Sequence, residues 1–438
     1  LTQALWHPTG TFILTGHEDS SIVVWDPKDG RKILARTLQT VHVDKPEAGR
    51  DSQGSMSGTF ALKEPIFRMA WCSKVNPDET GILIAGGAST ATPTRGLSFL
   101  ELGHTPIYNT SSWQALSEHF EKPKKQYILA TPPNAEVVDF CLIPRNSPYY
   151  AGSHDPIAVL ALLASGEMVT LSFPSGHPIT PTNQLHPSLA FIHPFVGRID
   201  MSSVERTQWL GMIENRSRGP RILNGGVKAR YPLRRFSHRN IIQTAHVDGT
   251  VRIWDAGHGD EIENAAMLQV DVARAVGRAD DVNITMTSMS GVTGELAVGL
   301  GTGELVVFRW GRNQNFGSET PHADARGFGL LAIKDRAEPS VKEGLLPLTL
   351  LDHKNSPVTS LKISDVGFVG GGFEDGSLIV IDLRGPAVIY DGNLKDFGHQ
   401  QKHGSFRRSQ IYQAPNKPEW ATFVEFGVMS LEGEGEQS

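Results

Sequence analysis

Short apolar runs bounded by Gly, Pro, Asp and Ser recur along this chain, the pattern of many strands joined by turns. They group into six units. The first covers 1–26, with Ala4-Leu5-Trp6-His7-Pro8 as its opening strand. The second places strands at 65–71, 81–87 and 96–100, and the third at 137–142, 157–163 and 168–171. The fourth is expected to hold strands near 208–213 and 221–223 and to end in a hairpin over 246–255. The fifth takes 283–289, 294–299 and 303–308, the sixth 357–363, 367–372 and 375–382. Residues 420–426 read as the first strand of a seventh. Polar or Pro-rich inserts at 41–59, 103–125, 215–239, 311–339 and 395–418 separate the units. Inserts of such length in a compact domain usually carry function or lack order.

Two of these stretches say nearly the same thing. One is Thr15-Gly16-His17-Glu18-Asp19-Ser20-Ser21-Ile22-Val23-Val24-Trp25-Asp26, the other Thr244-Ala245-His246-Val247-Asp248-Gly249-Thr250-Val251-Arg252-Ile253-Trp254-Asp255. Each is a small-residue turn, an Asp, and a strand of β-branched residues ending in Trp-Asp. Asp375-Gly376-Ser377 opens a third, degenerate copy. Asp at a hairpin corner bonds its own backbone two residues on, which accounts for Asp19, Asp248 and Asp375 by turn chemistry. An indole is large and apolar, but its N–H needs a partner when buried; a His or a Ser/Thr hydroxyl can provide one, and His17 and His246 sit where such a partner for Trp25 and Trp254 would be. Recurrence of this kind is the signature of a repeat array. The fold class is therefore all-β, a WD-repeat β-propeller, in which each unit's apolar faces are covered only by its neighbours.

Composition fits this reading. At 438 residues the chain is too long for one compact core and suits two domains or one large array. Its 45 Gly and 27 Pro, spread without a period, suit short strands and turns. Cys72 and Cys141 are too few and too isolated for a disulfide framework or a zinc site, which favours a reducing compartment. No apolar run approaches the ~20 residues needed to cross a bilayer as a helix. With no signal peptide and an opening on Leu1 inside a strand pattern, the chain reads as a fragment of a longer, cytoplasmic protein.

Candidate chemistry points to binding, not catalysis. There is no Gly-x-Ser-x-Gly elbow, no phosphate loop and no paired-histidine zinc helix, so no catalytic, metal or cofactor residue is assigned. One stretch is strongly basic: Arg216, Arg218, Arg221, Lys228, Arg230, Arg234, Arg235 and Arg239 occur with no intervening acid. Such a run is a candidate loop for an acidic partner or anionic lipid, at about 1 kcal/mol per charge. It equally reads as a solvated loop paired in part with neighbouring acids. Nucleic acid is disfavoured, because the net charge is −6 and the run lacks interleaved aromatics.

The order of the units and their spacers resembles the lethal giant larvae and tomosyn family of tandem WD-repeat proteins, in its fungal branch. The residues carrying the resemblance include Trp6-His7-Pro8, Gly16-His17-Glu18-Asp19, Trp71 with Gly86-Gly87, Asn224-Gly225-Gly226 before the second Trp-Asp hairpin, and Gly371-Gly372-Phe373-Glu374-Asp375-Gly376. What the resemblance implies is parts of two consecutive seven-bladed propellers: the last blades of the first over 1–180 and the first blades of the second over 181–438. The boundary falls near 174–187. The early blades, the final blades and the family's C-terminal tail are then absent. It implies a non-catalytic scaffold of polarised exocytosis that binds a plasma-membrane Q-SNARE (syntaxin or its light-chain-type partner) and a vesicle Rab GTPase. The exocyst and anionic lipid are further partners it allows, with location in the cytoplasm and peripherally at the plasma membrane. Family members are also described as influencing GTPase activity, for which Arg234 or Arg235 is testable. Ser405, Arg407, Arg408 and Ser409 sit where animal relatives carry a phosphorylated membrane-release loop. A phosphate there would add about −1.5 to −2 charge beside the two arginines. The rivals are a generic WD-repeat adaptor of another complex and a membrane-surface protein acting through its basic loop.

Overall fold

The structure, a computed structural model, describes residues 1–39, 43, 63–90, 93–132, 134–145, 153–179, 196–212, 215–216, 237–256, 266–278, 282–318, 329–353, 356–398 and 420–427. They form six antiparallel sheets in chain order. The first holds β1 (Gln3–Trp6), β2 (Ile13–Gly16), β3 (Ile22–Trp25) and β4 (Lys32–Arg36). The second holds β5 (Ile66–Ser73), β6 (Glu79–Gly86), β7 (Gly96–His104) and, after helix α1 (Trp113–Glu121), β8 (Lys125–Ala130). The third has β9 (Val137–Pro144), β10 (Pro156–Leu163) and β11 (Met168–Ser172), with a single bridge from Leu171 to Pro178 at its outer edge.

The fourth sheet opens on β12 (Val196–Glu205); α2 (Arg206–Gly211) follows in the chain, then a two-residue strand of the fifth sheet, β13 (Asn215–Arg216). The remaining strands of the fourth are β14 (His238–His246), β15 (Thr250–Asp255) and β16 (Leu268–Asp271), after which comes α3 (Val272–Val276). The fifth holds β17 (Ile284–Met289), β18 (Leu296–Leu300), β19 (Glu304–Arg312) and, beyond β20 (Gly329–Ala332), the long β21 (Val341–Asp352). Both β13 and β20 pair with β21. The sixth is β22 (Val358–Ile363), β23 (Phe368–Phe373), β24 (Ser377–Asp382) and β25 (Ala387–Asn393), ending in α4 (Leu394–Gly398).

The core lies between sheets, and strand geometry dictates how. Successive side chains of a strand point to opposite faces. In β6, Ile82 and Ile84 therefore enter the core shared with the first sheet, while Leu83 and Ala85 enter the core shared with the third. In β10, Val159 and Ala161 face the second sheet, and Leu160 and Leu162 face the fourth. The pattern continues with Ile242 and Ile241 in β14, then with Val306 and Leu305 in β19, each pair divided between two cores. Burial on both faces explains why these strands read as nearly unbroken apolar runs. Each large side chain so buried contributes about 1.5–3 kcal/mol relative to exposure.

First strands of consecutive sheets touch along the inner side of the stack. Side chains there bind the neighbouring backbone: Met69 N–H donates to Gln3 Oε1 at 2.6 Å, and Ile363 N–H to Ser288 Oγ at 3.1 Å. One arrangement occurs twice. The Thr285 hydroxyl lies 3.2 Å from Gly299 O and 2.8 Å from Val358 O. The Thr359 hydroxyl lies 3.2 Å from Gly372 O and 2.8 Å from Ala421 O. Residue Ala421 therefore stands to the sixth sheet as Val358 stands to the fifth. Residues 420–427 occupy the place of a seventh sheet's first strand, as the sequence suggested, although they form no strand ladder.

Two expectations need correction. The fourth unit begins on β12, and residues 208–211 are helical; 221–223 lie outside the described residues. Strand β12 was hidden because Arg198, Asp200, Ser202 and Ser203 interrupt its apolar face and Val196/Arg198 carries a bulge. Second, the inserts at 103–125 and 311–339 hold α1, β20 and a 3₁₀ turn (Lys334–Arg336), and the outer strands β4, β8, β16, β21 and β25 went unread. Two of these strands bury little: β8 has one buried residue and β25 is exposed over its first five, whereas β4, β16 and β21 are largely buried. The junction expected near 174–187 falls largely outside the described residues. The third and fourth sheets share a core through Leu160, Leu162, Ile199 and Ile242 like every other pair, residues 180–195 lying outside the described residues.

The close approach at Gly299 supplies a test. A Cβ there would lie 2.6 Å from Val358 Cγ1, so the fifth and sixth sheets need a glycine at this point. Gly299→Ala is expected to lower unfolding stability by about 1–3 kcal/mol, read by urea denaturation. An unchanged midpoint would mean that the sheets are not held at this distance.

Candidate functional site

The hairpin corners are built alike. Asp19 Oδ1 accepts from Ser21 N–H at 3.0 Å and from its hydroxyl at 2.6 Å; Asp248 Oδ1 accepts from Thr250 N–H at 3.1 Å and its hydroxyl at 2.6 Å. Asp375 accepts from Ser377 N–H at 2.9 Å. Partial burial opposes charge on these carboxylates, but the hydrogen bonds more than offset it and hold all three below their ordinary range. The next residue takes positive φ in each copy: Ser20 at 66°, Gly249 at 75° and Gly376 at 87°. Two further corners invert the chemistry. Ser165 donates to Glu167 at 3.2 Å and Thr302 to Glu304 at 2.5 Å, around Gly166 and Gly303. Their Ser/Thr-Gly-Glu spelling was visible in the sequence but not recognised as the mirror of Asp-Gly-Ser/Thr.

Of the two kinds of partner expected for the first tryptophan, the hydroxyl is the one used. The β2–β3 register sets Thr15 opposite Val23, diagonal to Trp25 on the same face. The Trp25 indole N–H therefore donates to Thr15 Oγ1 at 2.8 Å, and His17 Nε2 lies behind it, 3.0 Å from the same oxygen. The second copy repeats the threonine–histidine contact, with Thr244 Oγ1 and His246 Nε2 2.8 Å apart. The terminal aspartates are anchored too. Asp26 takes the Tyr108 hydroxyl at 2.5 Å, and Asp255 Oδ2 accepts from Arg239 Nε–H at 2.8 Å, with Nη2 in ion contact at 2.8 Å.

That last pair corrects the basic-loop reading at one end. Arg239 sits on β14 with its side chain fully buried, so it is a structural ion pair and not part of a solvated surface. Arg216 lies on β13, paired through its backbone to Val341. Arg218, Arg221, Lys228, Arg230, Arg234 and Arg235 lie outside the described residues, as do Ser405, Arg407, Arg408 and Ser409.

A cavity of about 550 Å³ opens where the inner strands β1, β5, β9 and β12 converge. Arg68 of the second sheet reaches across it, with Nε 3.6 Å from Asp139 of the third and Nη2 3.9 Å from Asp200 of the fourth. Burial disfavours the guanidinium charge, but the two carboxylates outweigh it and raise the group above its usual value. Asp139 is further tied to the backbone N–H groups of Phe140 at 2.9 Å and Ile199 at 3.3 Å. His7 lies at the wall, its ring nitrogens 2.7 Å from Thr9 Oγ1 and 3.0 Å from Thr105 Oγ1. Its ring meets Trp71 edge-on at 4.7 Å. Burial, with some help from His119, lowers His7 to about 4. Cys72 and Cys141 are both buried free thiols whose ionisation burial pushes up, so neither is poised as a nucleophile. Among the described residues no group of three His, Cys, Asp or Glu side chains could hold a metal ion, and no helix is long and apolar enough to cross a membrane.

Two outcomes follow from this geometry. Thr15→Val leaves the Trp25 N–H without its acceptor and is expected to cost about 1–3 kcal/mol in urea denaturation, whereas Thr15→Ser retains most of the stability. His7 and His119 are both lowered from 6.5 to about 4, mainly by burial. Between these values the unfolded chain binds more protons than the folded one, so stability present above pH 6.5 is lost as pH falls toward 4. His7→Gln/His119→Gln should flatten the dependence of the melting temperature on pH across that window; an unchanged slope would count against it.

Comparison with known proteins agrees with the repeat reading. Residues 281–438 match the family described as lethal giant larvae (Lgl) like, C-terminal, and residues 1–26 match the WD domain, G-beta repeat. The chain is 34% identical over 408 residues to the lethal(2) giant larvae protein homolog SRO77 of Saccharomyces cerevisiae, covering 90% of this chain and 39% of that protein. It is 24% identical over 435 residues to an uncharacterised protein of Schizosaccharomyces pombe, covering 98% of this chain and 40% of that protein. It thus spans about two-fifths of the length of these relatives. Among solved structures, the β-propeller domain of Myceliophteria thermophila Cps50 (Swd1) overlaps 90% of this chain and 85% of its own at 10% identity and a TM-score of 0.42. The propeller assignment rests on the sheets and the repeat match, not on that likeness. With its Trp-Asp hairpins, serial four-stranded sheets and matching C-terminal segment, the chain belongs to the lethal giant larvae family of WD-repeat proteins.

Proposed function

We propose that this chain is part of a non-catalytic scaffold of polarised exocytosis, one that binds a plasma-membrane Q-SNARE and a vesicle Rab GTPase and so controls vesicle docking and SNARE assembly. The observation that carries this reading is the 34% identity to a yeast lethal giant larvae homologue along nearly the whole chain. The architecture is compatible with it. Sheets locked through shared cores and inter-sheet hydrogen bonds make a rigid body, and rigid repeats serve as platforms on which loops carry specificity. Neither thiol is activated, and the hairpin acids and histidines are consumed by structural hydrogen bonds. The working mechanism is steric: the scaffold holds a SNARE motif apart from its partners, or ready for them, near a docked vesicle at the cytoplasmic face of the plasma membrane.

The test is co-purification of the full-length protein with a recombinant Q-SNARE and with a Rab in its GTP- and GDP-bound forms. Retention of the SNARE, and of the Rab with GTP only, is expected. Retention of neither, with an unrelated assembly recovered in their place, would favour a generic WD-repeat adaptor. Flotation with anionic vesicles that is lost on Arg234→Glu/Arg235→Glu would favour a lipid-binding protein.

A further inference from the structure

Strand order sorts the turns of this stack to two ends. In a four-stranded meander the turns after the first and third strands fall at one end, and the turn after the second falls at the other. Turns of the second kind are the acid corners at Asp19, Asp248 and Asp375. Turns of the first kind carry apolar tips. Val75 follows β5, Val292 follows β17 and Val366 follows β22, the same place in three units, and Val75 and Val366 are 74% and 66% exposed. Exposed Trp6 ends β1 at this end, and Ile107 and Trp113 are exposed beyond β7. Hydrogen bonds join neighbouring turns here. Asp365 Oδ1 accepts from the Ser290 hydroxyl at 3.1 Å and from the N–H groups of Gly291 at 2.8 Å and Val292 at 3.3 Å, which brings Val292 and Val366 together. Gly291 O accepts from Glu205 N–H at 2.8 Å, and Ser73 O from Asp155 N–H at 2.8 Å.

Charge separates the two ends independently of the apolar tips. At the turn end the cation is the more exposed member of the pairs Arg31–Asp29, Lys74–Glu79, Arg145–Asp155 and Arg384–Asp382, by 60% to 14% at Arg145. Arg31 also lies over the ring of Trp113, and Lys28 over that of Tyr108. Of the exposed acids at this end, Asp365 is taken up by the three donors of the neighbouring turn, and Glu118 stands on α1. The corner end is acidic. Glu18, Asp19, Glu167 and Glu374 are exposed there, and Asp248 and Asp375 are more exposed than Arg252 and His353, which meet them. Arg95 and Arg278 offset Glu64 and Glu304 at that end.

We propose that the turn end docks on an anionic phospholipid surface, with the apolar tips seated among the headgroups and the outer cations against lipid phosphates. This deepens the reading of a scaffold at the plasma membrane and rests on it, by naming the end that faces the bilayer. Apolar side chains at a bilayer interface bind in proportion to the area they insert, and cations near anionic lipid add to it. Tryptophan favours the same interface. The acid corners are repelled by such a surface, so the contact has one orientation. A protein partner is disfavoured as the occupant, because the tips are single side chains on turns of separate sheets and not one continuous apolar patch.

Flotation of the whole chain with vesicles of phosphatidylcholine and phosphatidylserine, against phosphatidylcholine alone, tests this. Binding to the anionic vesicles is expected, weakening as salt is added. Val75→Ser/Val292→Ser/Val366→Ser, at exposed positions, should weaken it about tenfold with no loss of melting temperature. Because Cys72 and Cys141 are buried, a polarity-sensitive thiol dye can be placed on Val292→Cys or on Val247→Cys alone. A blue shift on adding anionic vesicles is expected at the first position and not at the second, which lies at the corner end. Retention of a SNARE or a Rab is read without vesicles, so either result can fail while the other stands. No binding to anionic vesicles, an equal shift at Val247→Cys, or binding lost in Arg234→Glu/Arg235→Glu but unchanged in the triple valine variant would overturn the proposal.

Discussion

Strand side chains alternate between two faces, and in this chain both faces of most sheets are apolar. That constraint governs everything else. A sheet whose strands carry Ile82 and Ile84 on one side and Leu83 and Ala85 on the other cannot be stable alone, because either face would meet water. The only remedy is a neighbour on each side. The six sheets accordingly stack in series, and five apolar cores fill the five spaces between them. Stability is then a property of neighbouring pairs and not of individual repeats.

Polar groups fix the spacing that the apolar cores leave loose. Threonine hydroxyls at 285 and 359 bridge a glycine carbonyl on their own sheet and a carbonyl of the next. Glycine is needed at 299 because the neighbouring strand passes within contact distance of its Cα. At the corners, acid–hydroxyl pairs close the turns in either order, and the Trp25 indole is held by a threonine which a histidine then supports. Charges are treated in the same way: Arg239 and Asp255 neutralise one another out of water, and Arg68 draws the inner strands of three sheets together.

The legible part of this architecture was the part governed by period and turn chemistry. The Trp-Asp hairpins, the central strands of five units and the place of residues 420–426 could be read because a doubly buried strand writes an apolar run. Strands β8 and β25 are mostly exposed and write no apolar run on both faces, and β12 is broken by polar residues, Asp200 among them. The cavity itself left no mark in the sequence. Its residues come from strands about sixty positions apart and only the sheet order brings them together. The basic run misled at Arg239 for a related reason: the partner that buries it, Asp255, lies across a hairpin, whereas the run suggested a continuous surface.

The most direct test of serial stacking is hydrogen exchange at the junction between the third and fourth sheets. Leu160 belongs to β10 but its side chain lies in the core shared with β14. If sheets are stable only as neighbours, Leu160→Ala will speed amide exchange in β10 and β14 together. Faster exchange confined to β10, with β14 unaffected, would contradict the account.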